Sequence, residues 1–151
     1  MPNVIDKFVG EYAFLSNFYN SPMKLDLGEV GLFSIHNVEE IYQAAKAVSV
    51  AEARWVLQSQ TPGIAKRRGR EVAMVPNWDE IKDKVMRMAL DEKFKQNPDL
   101  MAKLIATGDA TLIEGNHWGD TYWGICRGVG QNKLGLMLME IRDGLSKPES
   151  N

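Results

Sequence analysis

Residues 34–46 read Ser34-Ile-His-Asn-Val-Glu-Glu-Ile-Tyr-Gln-Ala-Ala-Lys46, and they predict the entry into a helix. Glu39, Gln43 and Lys46 stand at offsets of zero, four and seven, which place a carboxylate, an amide and an ammonium on one helix face. An adjacent apolar face fits a polar stripe that borders a pocket. A solvated Glu-to-Lys face explains the same pattern, because most charged stripes lie on the surface. The apolar face consists of Val38, Ile41, Ala45 and Val48.

Length and composition indicate one globular domain over residues 1–151. The chain has 151 residues and 44% hydrophobic content, which suits a single core. The formal net charge is -2, with 18 Lys and Arg against 20 acidic residues. This balance gives no overall attraction to nucleic acid or to an anionic membrane. Any phosphate site must therefore be local.

The cysteine and histidine counts argue against a disulfide or a zinc centre. The chain holds one cysteine, Cys126, and two histidines, so we expect no metal and no cofactor. A single cysteine, together with an N-terminus that lacks an apolar signal core, predicts a cytoplasmic protein. No segment approaches the roughly 20 apolar residues that a membrane span needs, so we expect no membrane partner.

Periodicity and capping signals predict a mostly helical chain with few strands. Residues 8–18 read as a short strand leading into a loop, and residues 23–27 and 30–33 as a β-hairpin. The capping-box spacing of Ser49 and Glu52 indicates either a second helix or a continuation of the first through Trp55. Later helices are predicted from Pro62, over residues 78–95 and 98–106, and from Asn132, with a strand at 111–114 and a frayed tail at 148–151.

These elements predict an α+β fold, a predominantly helical single domain with a small antiparallel sheet. The sheet would take its strands from the N-terminal third of the chain and from the segment that begins at Thr111.

A loop dense in Gly, Trp and Asp follows that strand. It contains Asn116-His-Trp-Gly-Asp-Thr-Tyr-Trp-Gly124, in which Asp120 lies between two indoles. Tryptophans beside a carboxylate suit an aromatic ligand that develops positive charge. The alternative is that Trp118 and Trp123 fill the core. Trp78, at the start of a helix, is likewise either a core anchor or a stacking platform.

Basic residues are concentrated at Lys66, Arg67, Arg68 and Arg70. Guanidinium groups near helix ends fit phosphate oxygens, although a solvated basic face is the commoner explanation. The turn Gly128-Val-Gly-Gln-Asn132 leads into a helix N-terminus, a geometry that binds anions through free backbone amides. Cys126 has no base placed beside it by any motif, which favours a buried small hydrophobe.

The ordered set of motifs resembles the NADAR (YbiA-like) N-glycosidase family over nearly the whole chain, from about Phe8 to Leu145. The matching segments are Phe14-Leu-Ser-Asn-Phe18, Glu39 with Gln43 and Lys46, Lys66-x-x-Gly-Arg70, Asn77-Trp78, Met86, Lys93-Phe94, Thr107-Gly108, Glu114, Tyr122-Trp-Gly124, Gly130-x-Asn132 and Leu134 to Arg142. No single piece is diagnostic, but the order of the set is specific.

The resemblance implies an enzyme that cleaves the bond between an amine or base nitrogen and C1′ of a phosphorylated ribose. Members of the family act on early riboflavin-pathway intermediates or remove ADP-ribose from guanine in nucleic acid. The resemblance assigns the catalytic glutamate to Glu39, the helix-leading tryptophan to Trp78 and the late Asp-x-x-Trp-Gly site to Asp120 and Trp123. After Gly124 this chain has Ile-Cys-Arg in place of an acidic, glycine-rich run, so Asp120 is the candidate acid of that loop.

Both lines of reasoning give one hypothesis for the mechanism, in which two carboxylates share acid, base and charge-stabilising duties. Glu39 and Asp120 would meet in one cleft, with Trp78 and Trp123 stacked on the substrate. Phosphoribosyl or ADP-ribosyl small molecules would be the substrates, with ADP-ribosylated nucleic acid as a further partner. A module that binds ADP-ribose or NAD without cleaving it is the competing function. The predicted substrate-binding residues are Asn17, Gln43, Lys46, Lys66, Arg70, Trp123, Asn132 and Arg142.

Overall fold

A computed structural model describes residues 2–146, and these residues form two compact units. The first contains residues 2–16 and 98–146, and the second contains Asn17–Asn97. The tail expected at residues 148–151 lies outside the described residues. The single-domain boundaries 1–151 and the core limits 8–145 stay a prediction.

The unit Asn17–Asn97 contains one hairpin and four helices. Strands β2 (Met23–Asp26) and β3 (Leu32–Ile35) pair antiparallel, with Met23 opposite Ile35, which confirms the predicted hairpin. A 3₁₀ turn at Gly28–Val30 connects them. The helices are α1 (Val38–Ala44), α2 (Val50–Leu57), α3 (Pro62–Gly69) and α4 (Trp78–Gln96).

Side-chain caps fix where three of these helices begin. Asn37 accepts the Glu40 amide at the start of α1, and Ser49 accepts the Glu52 amide at the start of α2. The second helix is therefore separate from the first, which decides between the two alternatives that the sequence allows. Thr61 accepts the Ile64 amide with Pro62 at the first helical position of α3, as predicted.

Helix α1 lies at the centre of this unit and packs against α2, α3 and α4. Val38 and Ile41 are buried as the apolar stripe predicted, but Val48 is exposed because α1 ends at Ala44 and Val48 lies in the turn beyond it. The core is completed by apolar residues of α2 and α4. These are Val56, Leu57, Met86, Ala89, Leu90 and Phe94.

The unit that contains residues 98–146 is built on two long helices and short strands. Its elements are β1 (Val4–Ile5), a 3₁₀ turn at Gly10–Leu15, α5 (Pro98–Ala106), β4 (Thr111–Leu112), β5 (Gly115–Asn116), β6 (Ile125–Cys126) and α6 (Lys133–Ser146). Leu104, Leu112 and Leu138 are fully buried in its core. Leu136, on the same helix as Leu138, is half exposed.

Two predictions for the strands of this unit are wrong. The segment 8–18 forms the 3₁₀ turn, and the strand lies earlier, at Val4–Ile5. The strand at Thr111 does not join the antiparallel hairpin, because it pairs in parallel with β1. Val4 and Ile5 are too few for a periodic pattern, so the sequence offered no partner for Thr111.

The fold class itself is confirmed, since helices predominate and the strands form only two-stranded sheets, one of which is the predicted antiparallel hairpin. None of the helices within residues 2–146 combines the length and the apolar character that crossing a bilayer would require.

Candidate active site

Glu39 is a buried carboxylate on the first turn of α1, only 7% exposed. Gln43 lies one helical turn after Glu39, and its Nε2 donates a 2.7 Å hydrogen bond to Oε1 of Glu39. The backbone amide of Glu39 donates to the carbonyl of Asn17 at 3.2 Å, which ties the segment before the hairpin to the start of α1. The i, i+4 spacing noted in the sequence therefore produces a real contact, and the solvated-face explanation is wrong for Glu39 and Gln43.

Two amide oxygens beside this carboxylate are buried acceptors. Oε1 of Gln43 and Oδ1 of Asn17 have no hydrogen-bond partner among residues 2–146. Nδ2 of Asn17 donates weakly to the sulfur of Met86, at 3.5 Å. Buried acceptors of this kind normally take a partner, so each suits a donor group on a ligand.

Gly69 on α3 makes room for the carboxamide of Gln43. A Cβ atom at Gly69 would overlap Oε1 of Gln43 and come within 2.8 Å of its Cδ. Helices α1 and α3 are therefore packed so closely that a larger residue at this position would have to displace the Gln43 carboxamide.

Lys46 lies in the turn after α1, two residues beyond the end of the helix. Its Nζ is 5.6 Å from the ring centroid of Tyr42 and 6.0 Å from that of Trp78. The two rings contact each other edge to face, with centroids 5.1 Å apart. An ammonium and two aromatic rings thus lie together, a set that suits both anions and flat heterocycles.

Lys46 is affected by three other cations of this unit. Burial lowers the pKa of Lys46 below its ordinary 10.5, and the carboxylate of Glu39 acts in the opposite direction. The positive charges of Arg70, Lys66 and Lys82 lower this pKa further. The structure therefore brings the predicted basic residues of α3 near the end of α1.

Trp78 is the first residue of α4 and is 5% exposed, which is the burial of a core anchor. Its ring also makes an edge-to-face contact with the ring of Tyr42. Tyr42 and Lys82 are site neighbours that the sequence analysis missed. Spacing could have found both, because Tyr42 lies three residues after Glu39 and Lys82 four residues after Trp78.

A separate cavity of about 260 Å³ in the same unit is apolar. Ile41 and Ala44 of α1, with Leu57 of α2 and Met88 of α4, are among its lining residues. None of the predicted site residues lines it, so the apolar and polar faces of α1 serve different environments.

Asp120 lies in a tightly bonded loop of the other unit. Oδ1 of Asn116 accepts the Asp120 amide at 3.0 Å, and Nδ2 of Asn116 donates to the Asp120 carbonyl at 2.9 Å. Oδ1 of Asp120 accepts the backbone amides of Tyr122 and Trp123 at 3.1 and 2.9 Å. The Asp120 carboxylate therefore holds the turn that presents Trp123. Its meeting with Glu39 in one cleft stays a prediction.

The aromatic residues of this loop differ in exposure. Trp118 is 58% exposed, so the core-filling explanation is wrong for that residue. Trp123 is partly buried and meets the ring of Tyr122 edge to face at 4.8 Å. The ammonium of Lys133 lies 4.6 Å from the Tyr122 ring centroid and donates to its hydroxyl at 3.1 Å.

Asn132 and Arg142, both predicted to bind substrate, have protein partners. Asn132 accepts the Glu114 amide and donates to the Leu112 carbonyl, at 3.0 and 2.9 Å. Nη1 of Arg142 donates to Thr107 Oγ1 and to the Ala110 carbonyl, at 3.0 and 2.7 Å. Arg142 is 4% exposed, which favours a structural role for its guanidinium.

The anion site expected at the start of α6 is not formed by free amides. The backbone N–H groups of residues 131–134 donate to the carbonyls of Thr121, Gly124, Tyr122 and Trp123, respectively. The loop thus satisfies the donors that an anion would need. Cys126 is buried, as expected for a small apolar residue.

Glu40 is a second buried carboxylate on α1, with a side chain only 1% exposed. It accepts the His36 amide and faces Nδ1 of His36 at 3.2 Å, and Nδ2 of Asn37 donates to it at 3.3 Å. Burial raises the pKa of the Glu40 carboxyl, against these hydrogen bonds, which lower it. Asn37 is the N-cap of α1, and Glu40 holds the residues before the helix by accepting hydrogen bonds from His36 and Asn37.

Comparison with known proteins assigns this chain to a family. A sequence model of the NADAR domain matches residues 7–146 and so spans both units. The N-glycosidase YbiA of Escherichia coli is 37% identical over 139 residues, which cover 90% of this chain and 83% of that protein. An N-glycosidase of Nostoc punctiforme is 35% identical, over 70% of this chain and 71% of that protein.

A solved structure and a longer relative agree with this assignment. The NMR structure of Escherichia coli YbiA matches with a TM-score of 0.82 and 34% identity, over 97% of this chain and 87% of that chain. A riboflavin biosynthesis protein of Vibrio vulnificus is 36% identical over 90% of this chain, which corresponds to 36% of that protein. These matches confirm the family and the enzyme class that the ordered motifs indicated. The chain belongs to the NADAR domain family.

Proposed function

We propose that this protein is an N-glycosidase that hydrolyses the bond between an amine or base nitrogen and C1′ of a phosphorylated ribose. The observation that carries the proposal is the buried Glu39 carboxylate, bonded to Gln43 at 2.7 Å in a unit that also gathers Lys46, Trp78 and the basic residues of α3. The names of the relatives support the same reaction class.

Breaking the N-glycosidic bond leaves positive charge on C1′ and the ring oxygen of the ribose. Glu39, in its ionised form, stabilises that charge, and the Gln43 amide keeps the carboxylate in position. Asp120 is the proposed second acid, which accepts a proton from the attacking water. The water oxygen forms the new bond to C1′ as the C1′–nitrogen bond breaks, and the proton that Asp120 takes from the water passes to the departing nitrogen.

Substrate recognition follows from the groups around Glu39. The Trp78 and Tyr42 rings suit the flat leaving group, since aromatic faces stack on heterocycles. The unpartnered Oδ1 of Asn17 accepts a hydrogen bond from a ribose hydroxyl, and Gln43, whose Oε1 packs against Gly69, holds the Glu39 carboxylate in place. Lys46, Lys66 and Arg70 hold the phosphate. Trp123 remains a predicted stacking residue, and Asn132 and Arg142 position their own unit.

Phosphoribosylated amines of the early riboflavin pathway are the proposed first substrate class, which the name of the Vibrio vulnificus relative supports. ADP-ribose on guanine in nucleic acid is the second proposed class, because it presents the same C1′–nitrogen bond beside a phosphorylated ribose. The predicted cytoplasmic location stays a prediction.

The test is to incubate the purified protein with a phosphoribosylamino-pyrimidine and, separately, with DNA that carries ADP-ribosylated guanine. We expect release of ribose phosphate from the first or of ADP-ribose from the second. Calorimetry with free ADP-ribose runs in parallel. Tight binding of ADP-ribose without product from either substrate would contradict the proposal and support a non-catalytic binding module.

A further inference from the structure

Lys82 lies on the same face of α4 as Trp78. The two residues are four positions apart, so their side chains are separated by about 40° around the helix and by one turn along it. The Trp78 ring centroid is 6.0 Å from the ammonium of Lys46, and α4 packs directly against α1. Lys82 is therefore placed on the side of α4 that meets the end of α1.

The environment of Lys82 differs from that of an ordinary surface lysine. Its Nζ pairs with Oδ1 of Asp79 at 3.1 Å, but the two side chains are unequally exposed, at 19% and 89%. A typical surface pair leaves both side chains in water and contributes little to stability. Here the lysine is held against the protein while its acidic partner stays in solvent.

Positive charge accumulates at this point from three elements of one unit. Lys46 follows α1, Lys66 and Arg70 come from α3 and its end, and Lys82 comes from α4. Each of the other three cations makes the ionised form of Lys46 less favourable, and the single carboxylate of Glu39 makes it more favourable. Like charges brought together raise the free energy of the protein, and a bound anion with several oxygens offsets that cost.

We infer that Lys82 is a substrate-binding residue that holds the phosphate together with Lys46, Lys66 and Arg70. The inference rests on the proposed function and assigns a specificity to it. Lys82 selects phosphorylated N-ribosides over their unphosphorylated counterparts, because the phosphate is the only part of the substrate that offers its ammonium a negative charge. Trp78, one turn earlier on α4, places the base and the phosphate at a fixed spacing.

The direct test is calorimetry with inorganic phosphate and inorganic pyrophosphate at low ionic strength, where charge interactions are least screened. We expect Lys82→Gln to weaken binding about tenfold or more, the loss of one charge-assisted hydrogen bond. Lys84→Gln is the matched control, since it removes the same charge from an exposed position of the same helix. We expect that control to bind within about twofold of the wild type.

Two further variants separate anion binding from a structural role. Lys82→Arg keeps the charge and should restore most of the affinity, whereas Asp79→Asn releases Lys82 from its ion pair and should bind phosphate at least as tightly as the wild type. Thermal unfolding of each variant checks that it folds. Equal affinity in Lys82→Gln and wild type, equal losses in Lys82→Gln and Lys84→Gln, or no phosphate binding by the wild type would overturn the inference.

Turnover gives an independent result. With a phosphorylated N-riboside, Lys82→Gln should raise KM and leave kcat nearly unchanged, while cleavage of the unphosphorylated riboside should not change. Cleavage by the wild type with an unaltered KM in Lys82→Gln would overturn the role of Lys82 and leave the N-glycosidase standing. Phosphate binding that depends on Lys82, without cleavage of any N-riboside, would overturn the proposed function and leave the phosphate site standing.

Discussion

Gln43 contacts Glu39 through a 2.7 Å hydrogen bond, while the other end of its carboxamide packs against the backbone of α3. The position of the Glu39 carboxylate therefore depends on how closely α3 approaches α1. Gly69 sets that distance, because any larger residue would meet the Gln43 carboxamide. The catalytic proposal and the helix packing are linked through these three residues.

Gly69→Ala should displace the Gln43 carboxamide. We expect a large loss of catalytic rate and a moderate loss of unfolding free energy. The new methyl would overlap the carboxamide, a crowding that typically costs about 1–3 kcal/mol of unfolding free energy. Urea unfolding and steady-state rates measure the two effects.

The control for Gly69→Ala is Gly63→Ala in the same helix, where the added Cβ meets only Thr61 Oγ1, at 3.9 Å. The double variant Gly69→Ala with Gln43→Ala should recover stability but not activity, since it removes the clash together with the amide. Wild-type rates in Gly69→Ala would show that Gln43 does not position Glu39.

Asp120→Asn separates the charge of Asp120 from its structural bonds. Asparagine keeps an Oδ1 that can accept the amides of Tyr122 and Trp123, so we expect the unfolding free energy to change by less than about 0.5 kcal/mol. Loss of the carboxylate should still lower kcat about 100-fold.

Asp120→Ala completes the comparison, because it removes both the charge and the two accepted hydrogen bonds. We expect it to lose activity and also about 1–2 kcal/mol of stability. If Asp120→Asn turns over normally while Asp120→Ala does not, Asp120 acts only by holding its loop.

Lys93 should make the stability of the protein depend on pH. It is fully buried on α4, and burial lowers its pKa to about 7 from an ordinary 10.5. Between pH 7 and about pH 10 the unfolded chain therefore binds more protons at this residue than the folded protein does. By linkage, the contribution of Lys93 is most unfavourable at pH 7 and below and becomes less unfavourable as the pH rises toward 10.

Lys93→Met removes this titration. The free energy of unfolding of the variant minus that of the wild type should be largest near pH 6 and fall by a few kcal/mol by pH 10. Urea unfolding at several pH values measures it, with the exposed Lys84→Met as a control that should show little pH dependence. A difference that stays constant from pH 6 to pH 10 would contradict the assignment.

Local signals predicted the helices well, because caps and prolines act within a few residues. Thr61-Pro62 marked the start of α3, and residues 98–106 match α5. Helix α4 begins at Trp78 as predicted, although the side chain of the preceding Asn77 makes no cap bond. The pairing of Val4–Ile5 with Thr111–Leu112 joins segments about a hundred residues apart, and no local pattern encodes it.

The candidate site was also predictable only where contacts are local in sequence. The contact between Glu39 and Gln43 follows from i, i+4 spacing, whereas the effect of the Lys82 charge on Lys46 depends on how α4 packs against α1. Residue type alone also could not foresee that the Arg142 guanidinium donates to the Ala110 carbonyl, and the role of Arg142 in substrate binding stays a prediction. A basic residue indicates a phosphate-binding site only where the fold leaves its N–H donors facing solvent or a pocket.

The most direct test of the central claim is the rate of N-glycosidic cleavage by Glu39→Gln. The substitution keeps the size of the side chain and an oxygen that can accept from Gln43, so the protein should fold as the wild type does. We predict that release of ribose phosphate or ADP-ribose slows by at least about 100-fold at saturating substrate. Release at the wild-type rate from a folded Glu39→Gln protein would contradict the account.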